Sequence, residues 1–245
     1  MIRTKTGIKG FDDLVDGGFI QGSTVLLSGK TGSGKTIFGL QFLYNGATKY
    51  DEPGILVTLE ARPDEIRTEA AQFGWDFGDL ENKNVLLIVD AASSKAGQPT
   101  SERYALRRGF DMGTFFEEVY KAVQETQAKR LVIDCISGLA IGFSDPSQIR
   151  NELFKISALL RELKVTSLLI SEIVDSGSHS RAGVEQFVTN GLITLNLEEV
   201  NGNLKRNLLI WKMKQTPHSL KTHSFAIGTS GIEILAKKKS SKKRS

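Results

Sequence analysis

The chain has 245 residues, of which 40% are hydrophobic and 24% are charged. These values are ordinary for a globular domain, and the length suits one α/β domain better than two. No apolar run approaches the roughly 20 residues of a membrane-spanning helix, and the first residues lack the apolar core of a signal peptide. We therefore expect a cytoplasmic protein without a membrane partner. A single cysteine excludes an internal disulfide.

The net charge of +4 comes from the end of the chain. This end carries six cations and no acid, so the rest of the chain is slightly acidic: Lys237, Lys238, Lys239, Lys242, Lys243 and Arg244. Such a run is typical of a solvated, disordered tail, and the alternative is a salt-sensitive contact with DNA or another polyanion. We divide the chain into one folded domain, residues 1–235, and a basic tail, residues 236–245.

The strongest motif follows the first predicted strand of the sheet. The apolar segment Val25–Ser28 leads into a sequence that fits G-x-x-x-x-G-K-[ST] at every fixed position. Glycines allow consecutive backbone N–H groups to turn towards an anion, and a helix that begins near Gly34 adds the positive end of its dipole. The sequence therefore predicts a phosphate-binding loop formed by Gly29, Lys30, Thr31, Gly32, Ser33, Gly34, Lys35 and Thr36. In such a loop Lys35 contacts the β- and γ-phosphates, and the Thr36 hydroxyl is a ligand of Mg²⁺.

Helices and strands alternate after this loop. The periodicity predicts helices over residues 34–49, from Pro63 to about Gly74, around residues 115–123, and from Asp145 onwards; the strands between them are Ile55–Leu59, Val85–Val89, Arg130–Asp134 and Thr166–Ile170. This alternation predicts an α/β fold with a parallel sheet and helices on both faces. For residues 91–112 the sequence predicts only a long connection between the neighbouring elements.

The pattern changes after about residue 188. Short strands separated by turns predict antiparallel additions to one side of the sheet. These strands are Leu192–Leu197, Lys205–Met213, Ser224–Ile227 and Ile232–Leu235.

Carboxylates follow three of the predicted parallel strands, at the edge of the sheet where ligands collect. Asp134 ends a run of four apolar residues, which is the form of a Walker B strand, and we expect it to hold the Mg²⁺ shell. Glu60 is the candidate to orient or deprotonate the attacking water. Glu172 is either a sensor of the γ-phosphate or a partner of the magnesium ligands.

These motifs resemble the RecA-superfamily ATPases and, among them, the single-domain KaiC-like and RadA-paralog proteins common in archaea. The resemblance covers nearly the whole chain: Thr6-Gly7-Ile8, Gly17-Gly18, the phosphate loop, Glu60, Leu131–Asp134, residues 183–188 and residues 211–218. It implies a RecA-like, mostly parallel twisted sheet and Mg²⁺-dependent ATP hydrolysis. Residues 211–218 resemble the K-x-R-G-T-x-H pattern of KaiC, which implies a homo-oligomeric ring or filament in which Lys212 and Lys214 reach the γ-phosphate on a neighbouring subunit.

Departures from the family pattern concern the catalytic residues. Ala61 stands where KaiC-like domains often have a second, adjacent glutamate, which excludes a pair of adjacent carboxylates. Ser171 and Glu172 stand where recombinases typically carry glutamine. Lys214 replaces an arginine and gives up its planar, two-pronged contact for a point charge. We therefore expect slow hydrolysis.

Two uses of the nucleotide site remain open from the sequence. A recombinase paralog would support DNA recombination and repair by binding single-stranded DNA through the basic tail and Arg181, which lies in the loop of residues 175–183. That loop has no aromatic residue for base stacking. The alternative is a nucleotide-dependent switch that assembles with a recombinase or regulatory protein and does not bind DNA.

Overall fold

The computed structural model describes residues 1–107, 111–142, 145–173 and 188–236. Within these ranges, ten strands form one mixed sheet and two short strands, β1 (Arg3–Thr4) and β2 (Phe19–Ile20), pair separately. The strands of the large sheet are β3 (Thr24–Gly29), β4 (Gly54–Thr58), β5 (Leu86–Asp90), β6 (Tyr104–Ala105), β7 (Arg130–Asp134), β8 (Thr166–Glu172), β9 (Gly191–Val200), β10 (Asn203–Met213), β11 (His223–Gly228) and β12 (Gly231–Ile234).

The order across the large sheet is β12-β11-β10-β9-β3-β8-β7-β4-β5-β6. All neighbouring strands from β9 to β6 run parallel, whereas β10, β11 and β12 continue from β9 as antiparallel neighbours. Strand β3 lies in the middle, between β8 and β9. The carboxyl ends of β3, β4, β7 and β8 therefore meet at one edge of the sheet.

Helices cover both faces, as the alternating pattern predicts. They are α1 (Lys35–Lys49), α2 (Pro63–Ala71), α3 (Phe77–Asn82), α4 (Ala92–Lys95), α5 (Met112–Thr126) and α6 (Pro146–Glu162), with 3₁₀ turns at Asp12–Val15 and Ile136–Gly142. Within the described ranges, no helix is long and apolar enough to cross a membrane.

Two hydrophobic cores lie on opposite faces of the sheet because successive strand residues point to opposite sides. In β3, Val25 and Leu27 join the core under α1, α2 and α3, whereas Leu26 joins the core under α5 and α6. The strands between the helical layers are thus apolar on both faces, which is why they read as continuous hydrophobic runs in the sequence.

Two sequence predictions about this fold were wrong. The segment 91–112 is not only a connection, since it contains α4 and the edge strand β6. Helix α4 is a single turn that the Asp90 carboxylate supports by accepting the Ser93 N–H at 2.9 Å, and such short elements produce no periodic signal. Strand β9 is not an antiparallel addition, because it pairs in parallel with β3.

A buried arginine ties the phosphate-loop helix to the sheet. Arg130, at the start of β7, is fully buried, and its guanidinium pairs with Glu52 at 2.6 Å and donates to Phe42 O at 2.7 Å. The rings of Phe42 and Tyr50 lie 4.6 and 5.2 Å from the guanidinium carbon. Gly46 of α1 leaves room for this side chain, since a Cβ there would lie 2.4 Å from Arg130 Cδ.

Candidate nucleotide-binding site

The phosphate loop lies in the centre of the sheet edge, between the end of β3 and the start of α1. Two of its glycines cannot be replaced without displacing backbone or core. A Cβ at Gly29 would lie 2.3 Å from Leu195 O, and Gly34 has a φ of 102° with a Cβ position 2.9 Å from Ile227 Cδ1. The close packing of the loop against β9 and β11 therefore explains these glycines.

The loop lysine and threonine face the carboxylate of the Walker B strand. Thr36 Oγ1 donates to Asp134 Oδ2 at 2.7 Å, and Lys35 Nζ donates to Lys30 O at 3.0 Å. Burial lowers the pKa of Lys35, and the carboxylates of Glu172 and Asp134 oppose that shift. Burial raises the pKa of Asp134 to about 6 despite the hydrogen bond from Thr36.

A cavity of about 290 Å³ opens over these groups. Among the described residues, four acids, one arginine and two isoleucines join the phosphate loop and Cys135 in lining it: Glu60, Glu69, Asp134, Glu172, Arg206, Ile37 and Ile227. A chamber with cations, hard oxygen donors and an apolar wall is chemically suited to a nucleoside triphosphate.

The oxygen donors fit Mg²⁺. The Thr36 hydroxyl and the Asp134 carboxylate are in contact at the floor of the cavity, and Mg²⁺ is bound in such sites by one or two protein oxygens together with phosphates and water. In the described part of the chain no group of three acids, histidines or cysteines could hold a metal by itself. The Thr36 hydroxyl and the Asp134 carboxylate therefore fit a Mg²⁺ ion that would be held together with phosphate oxygens.

Glu60 lies on the exposed rim of the cavity, just after β4. The Cys135 thiol donates to Glu60 Oε1 at 3.1 Å. Burial raises the pKa of Cys135 to about 12, so the thiol keeps its proton and remains a donor at neutral pH. The Asp134–Cys135 peptide bond is cis.

Lys95 supports the same region from α4. Its ammonium donates to Gly138 O at 2.8 Å and to Leu59 O at 3.2 Å, and thereby joins the end of β4 to the turn that follows β7. Burial lowers the pKa of Lys95, while the charge of Glu60 opposes the shift.

Glu172, which is predicted to be either a sensor of the γ-phosphate or a partner of the magnesium ligands, contacts the phosphate loop directly. Thr31 Oγ1 donates to Glu172 Oε1, and the backbone N–H of Glu172 donates to Ser137 Oγ at 2.9 Å. Glu172 also lines the cavity beside Lys35. The contact with Thr31 and the place in the cavity wall are compatible with either predicted role of Glu172.

Sequence reasoning missed two charged residues of the cavity. Arg206, on β10, donates from Nη2 to Gly32 O at 3.4 Å, and its buried Nε has no hydrogen-bond partner among the described residues. Glu69, on α2, also faces the cavity. No motif marks either residue, because the pairing of antiparallel strands brings Arg206 to the cavity and the packing of α2 on the core brings Glu69 there.

The lysines predicted to act on a neighbour do not line this cavity. Lys214 is exposed and lines a separate groove with Arg150 and Phe154, and Lys212 is half-buried on β10. Arg181, the segment 174–187 and the six cations of the tail lie outside the described residues.

The fold and the site together define a class of protein. A phosphate-binding loop in the centre of a mostly parallel sheet, opposite a carboxylate at the end of a nearby strand, is the arrangement of the RecA-like P-loop ATPases. The comparisons with known proteins agree. The family model described as "ATPase: KaiC" matches residues 4–239, and the chain belongs to this KaiC-like ATPase family.

Relatives span almost the full chain. A UPF0273 protein from Thermotoga maritima is 40% identical over 95% of both chains. A circadian clock oscillator protein KaiC from Parathermosynechococcus lividus is 36% identical over 95% of this chain and 42% of its own length. The crystal structure of a KaiC-like protein from Pyrococcus horikoshii has a TM-score of 0.84 and 42% identity, covering 96% of this chain and 99% of that one. The predicted RecA-like fold is thereby confirmed, and ATP binding follows from the family.

Proposed function

We propose that the protein binds ATP with Mg²⁺ and hydrolyses it slowly. The observation that carries this proposal is the convergence of Lys35, the hydrogen-bonded pair Thr36 and Asp134, and Glu60 in one cavity. Lys35 and the loop N–H groups would hold the phosphates, and Thr36 and Asp134 would hold the metal. Magnesium would offset charge on the transferring phosphoryl group.

Glu60 would orient the attacking water and accept its proton. It is the rim carboxylate that follows β4, and the Cys135 thiol fixes one of its oxygens at 3.1 Å. This hydrogen bond leaves the other oxygen for water. That second oxygen would accept the proton of the attacking water.

Slow turnover is expected because the chain offers weak stabilisation of the transferring phosphoryl. Lys214 is a point charge that binds phosphate less specifically than arginine. The neighbour's lysines would reach the site only after assembly, and Lys212 and Lys214 do not line the cavity of their own chain.

Phosphate release measured with ATP and Mg²⁺ tests this proposal. We expect slow turnover that chelation of the metal abolishes and that Lys35→Ala reduces by at least about 100-fold, because the variant loses the cation at the β- and γ-phosphates. Turnover that is unaffected by chelation or by Lys35→Ala would overturn it.

We further propose that the ATPase serves as a DNA recombination and repair accessory. Besides the basic tail, a groove beside α6 favours single-stranded DNA. Arg150, Arg161 and Lys214 line this groove with Phe154, whose surface is 61% exposed. Cations that follow a phosphate backbone next to an aromatic ring suited to base stacking are typical of single-strand binding.

Salt-titrated binding of a labelled single-stranded oligonucleotide separates the two uses of the site. We expect the full chain to bind in a salt-sensitive manner and Phe154→Ala to weaken binding by about fivefold or more, since one stacked base contributes roughly 1–3 kcal/mol. Phe154 is on the exposed face of α6, so Tyr120→Ala, on the exposed face of α5, is the matched control. Negligible binding at low salt would instead favour the nucleotide-dependent switch, for which ATP-dependent assembly without DNA is expected.

A further inference from the structure

The nucleotide cavity contains a carboxylate that the family pattern does not anticipate. Ala61 removes the second of two adjacent glutamates, yet Glu69 lines the same cavity as Glu60 and Asp134. We propose that Glu69 is a positioning residue for the metal, which accepts hydrogen bonds from water molecules bound to Mg²⁺. This inference rests on the proposed MgATP function and adds a residue to it.

The position of Glu69 is set by a firmly held helix. Ile66 and Ala70 of α2 are buried in the core, and this fixes which face of the helix turns towards the cavity. Arg67, on the opposite side, donates to Glu81 at 2.7 Å and to Glu102 at 2.8 Å. The helix is thus anchored on both sides of Glu69, so its carboxylate is presented from a rigid element.

The carboxylate of Glu69 is half-buried and receives no hydrogen bond or ion pair from any residue that the structure describes. Another glutamate on the same helix shows the contrast, because Glu65 accepts the Arg62 N–H at 2.9 Å and completes the helix cap. Burial raises the pKa of Glu69. A half-buried acid that has no partner among the described residues, and that shares a cavity with the proposed metal ligands, is suited to accept hydrogen bonds from metal-bound water.

The local charge balance also favours a cation. Glu60, Glu69 and Asp134 face the cavity together, and the negative charge of Glu69 acts on Asp134. In the absence of metal, Glu69 would repel the phosphates of a bound nucleotide; in its presence, Glu69 would help to retain the metal. The same side chain therefore has effects of opposite sign on the two forms of the complex.

The opposite effects of Glu69 on metal-free and metal-bound nucleotide can be measured separately. A non-hydrolysable ATP analogue is titrated by calorimetry into the wild type, Glu69→Gln and Glu69→Ala with EDTA, and Mn²⁺ binding to each protein–analogue complex is measured by electron paramagnetic resonance. We expect both variants to bind the metal-free analogue more tightly than the wild type. We also expect both to bind Mn²⁺ about tenfold more weakly.

Glu162→Gln is the matched control, because Glu162 is an exposed carboxylate at the end of α6, away from the cavity. It should leave both affinities unchanged. Unchanged Mn²⁺ affinity in the two Glu69 variants would overturn the inference, as would parallel weakening of both forms, which indicates a structural role. If the wild type itself binds no analogue with or without metal, the proposed ATP function fails as well.

Discussion

The carboxylate of Glu60 is positioned by residues that follow β7. The Cys135 thiol donates to Oε1 of Glu60. The Cγ of Glu60 lies 3.5 Å from the position that a Cβ on Gly138 would occupy. The geometry thus places the carboxylate between two elements, the end of β4 and the turn after β7. A residue held in this way can accept a proton from a water molecule in a defined direction.

Glu60→Gln keeps the size of the side chain and removes its basicity. We expect turnover to fall by about 100-fold, while affinity for MgATP changes by less than about twofold. Steady-state phosphate release and calorimetric binding check the two parts. Asp64→Asn, an exposed acid on α2, should change neither, and unchanged turnover in Glu60→Gln would remove that residue from the chemistry.

Lys95→Met removes the ammonium that joins Leu59 O to Gly138 O. We expect kcat to fall by about tenfold with little change in KM, because the turn that carries Glu60 loses its support while the phosphate loop does not. Lys95→Arg retains the donors and should recover most of the activity. Equal kcat values for Lys95→Met and the wild type would contradict this positioning role.

At the level of single elements, helix α1 depends on the absence of a side chain at Gly46. Alanine normally stabilises a helix by about 1 kcal/mol relative to glycine. Here a Cβ would lie 2.4 Å from Arg130 Cδ and 2.5 Å from its Nε, so Gly46→Ala should instead destabilise the fold. We expect a loss of about 2 kcal/mol in the free energy of unfolding, because the buried Arg130 would be moved away from Glu52.

Gly78→Ala is the matched control for this prediction. Gly78 is also helical, in α3, but the nearest atom to its Cβ position is Asp76 Oδ1 at an ordinary 3.5 Å. Denaturant unfolding of the two variants should give changes of opposite sign. Stabilisation by Gly46→Ala would show that Arg130 can move without cost.

The strands and the cavity residues show how much of the fold and of the site can be predicted from the sequence. The parallel strands and the phosphate loop are predictable because apolar runs, glycines and the Walker B aspartate are local patterns. Strand β6 is two residues long and β9 is parallel by virtue of its place beside β3, so neither has a local signal. Arg206 and Glu69 reach the cavity only through tertiary packing.

At the scale of the whole molecule, the proposal requires assembly with a neighbouring subunit. Lys212 lies on β10 and does not line the nucleotide cavity of its own chain. Burial lowers its pKa, and the charge of Lys214 acts in the same direction. A pair of close lysines outside the chain's own nucleotide cavity is consistent with completion of a neighbouring site.

Mixed oligomers test this arrangement. Lys35→Ala and the double variant Lys212→Ala/Lys214→Ala should each be nearly inactive alone. A one-to-one mixture should recover about a quarter of the wild-type turnover, because that fraction of sites combines an intact phosphate loop with an intact neighbour. Activity in the mixture no higher than in either variant alone would place the lysines outside a neighbour's site.

The central claim is that the loop from Gly29 to Thr36 binds a triphosphate with its metal. A calorimetric titration with MgATP tests it most directly, with Gly34→Val as the comparison because valine at a φ of 102° would be strained and would collide with Ile227. We predict saturable binding by the wild type and its loss in the variant. Absence of wild-type binding at millimolar MgATP, or equal binding by both proteins, would contradict the account.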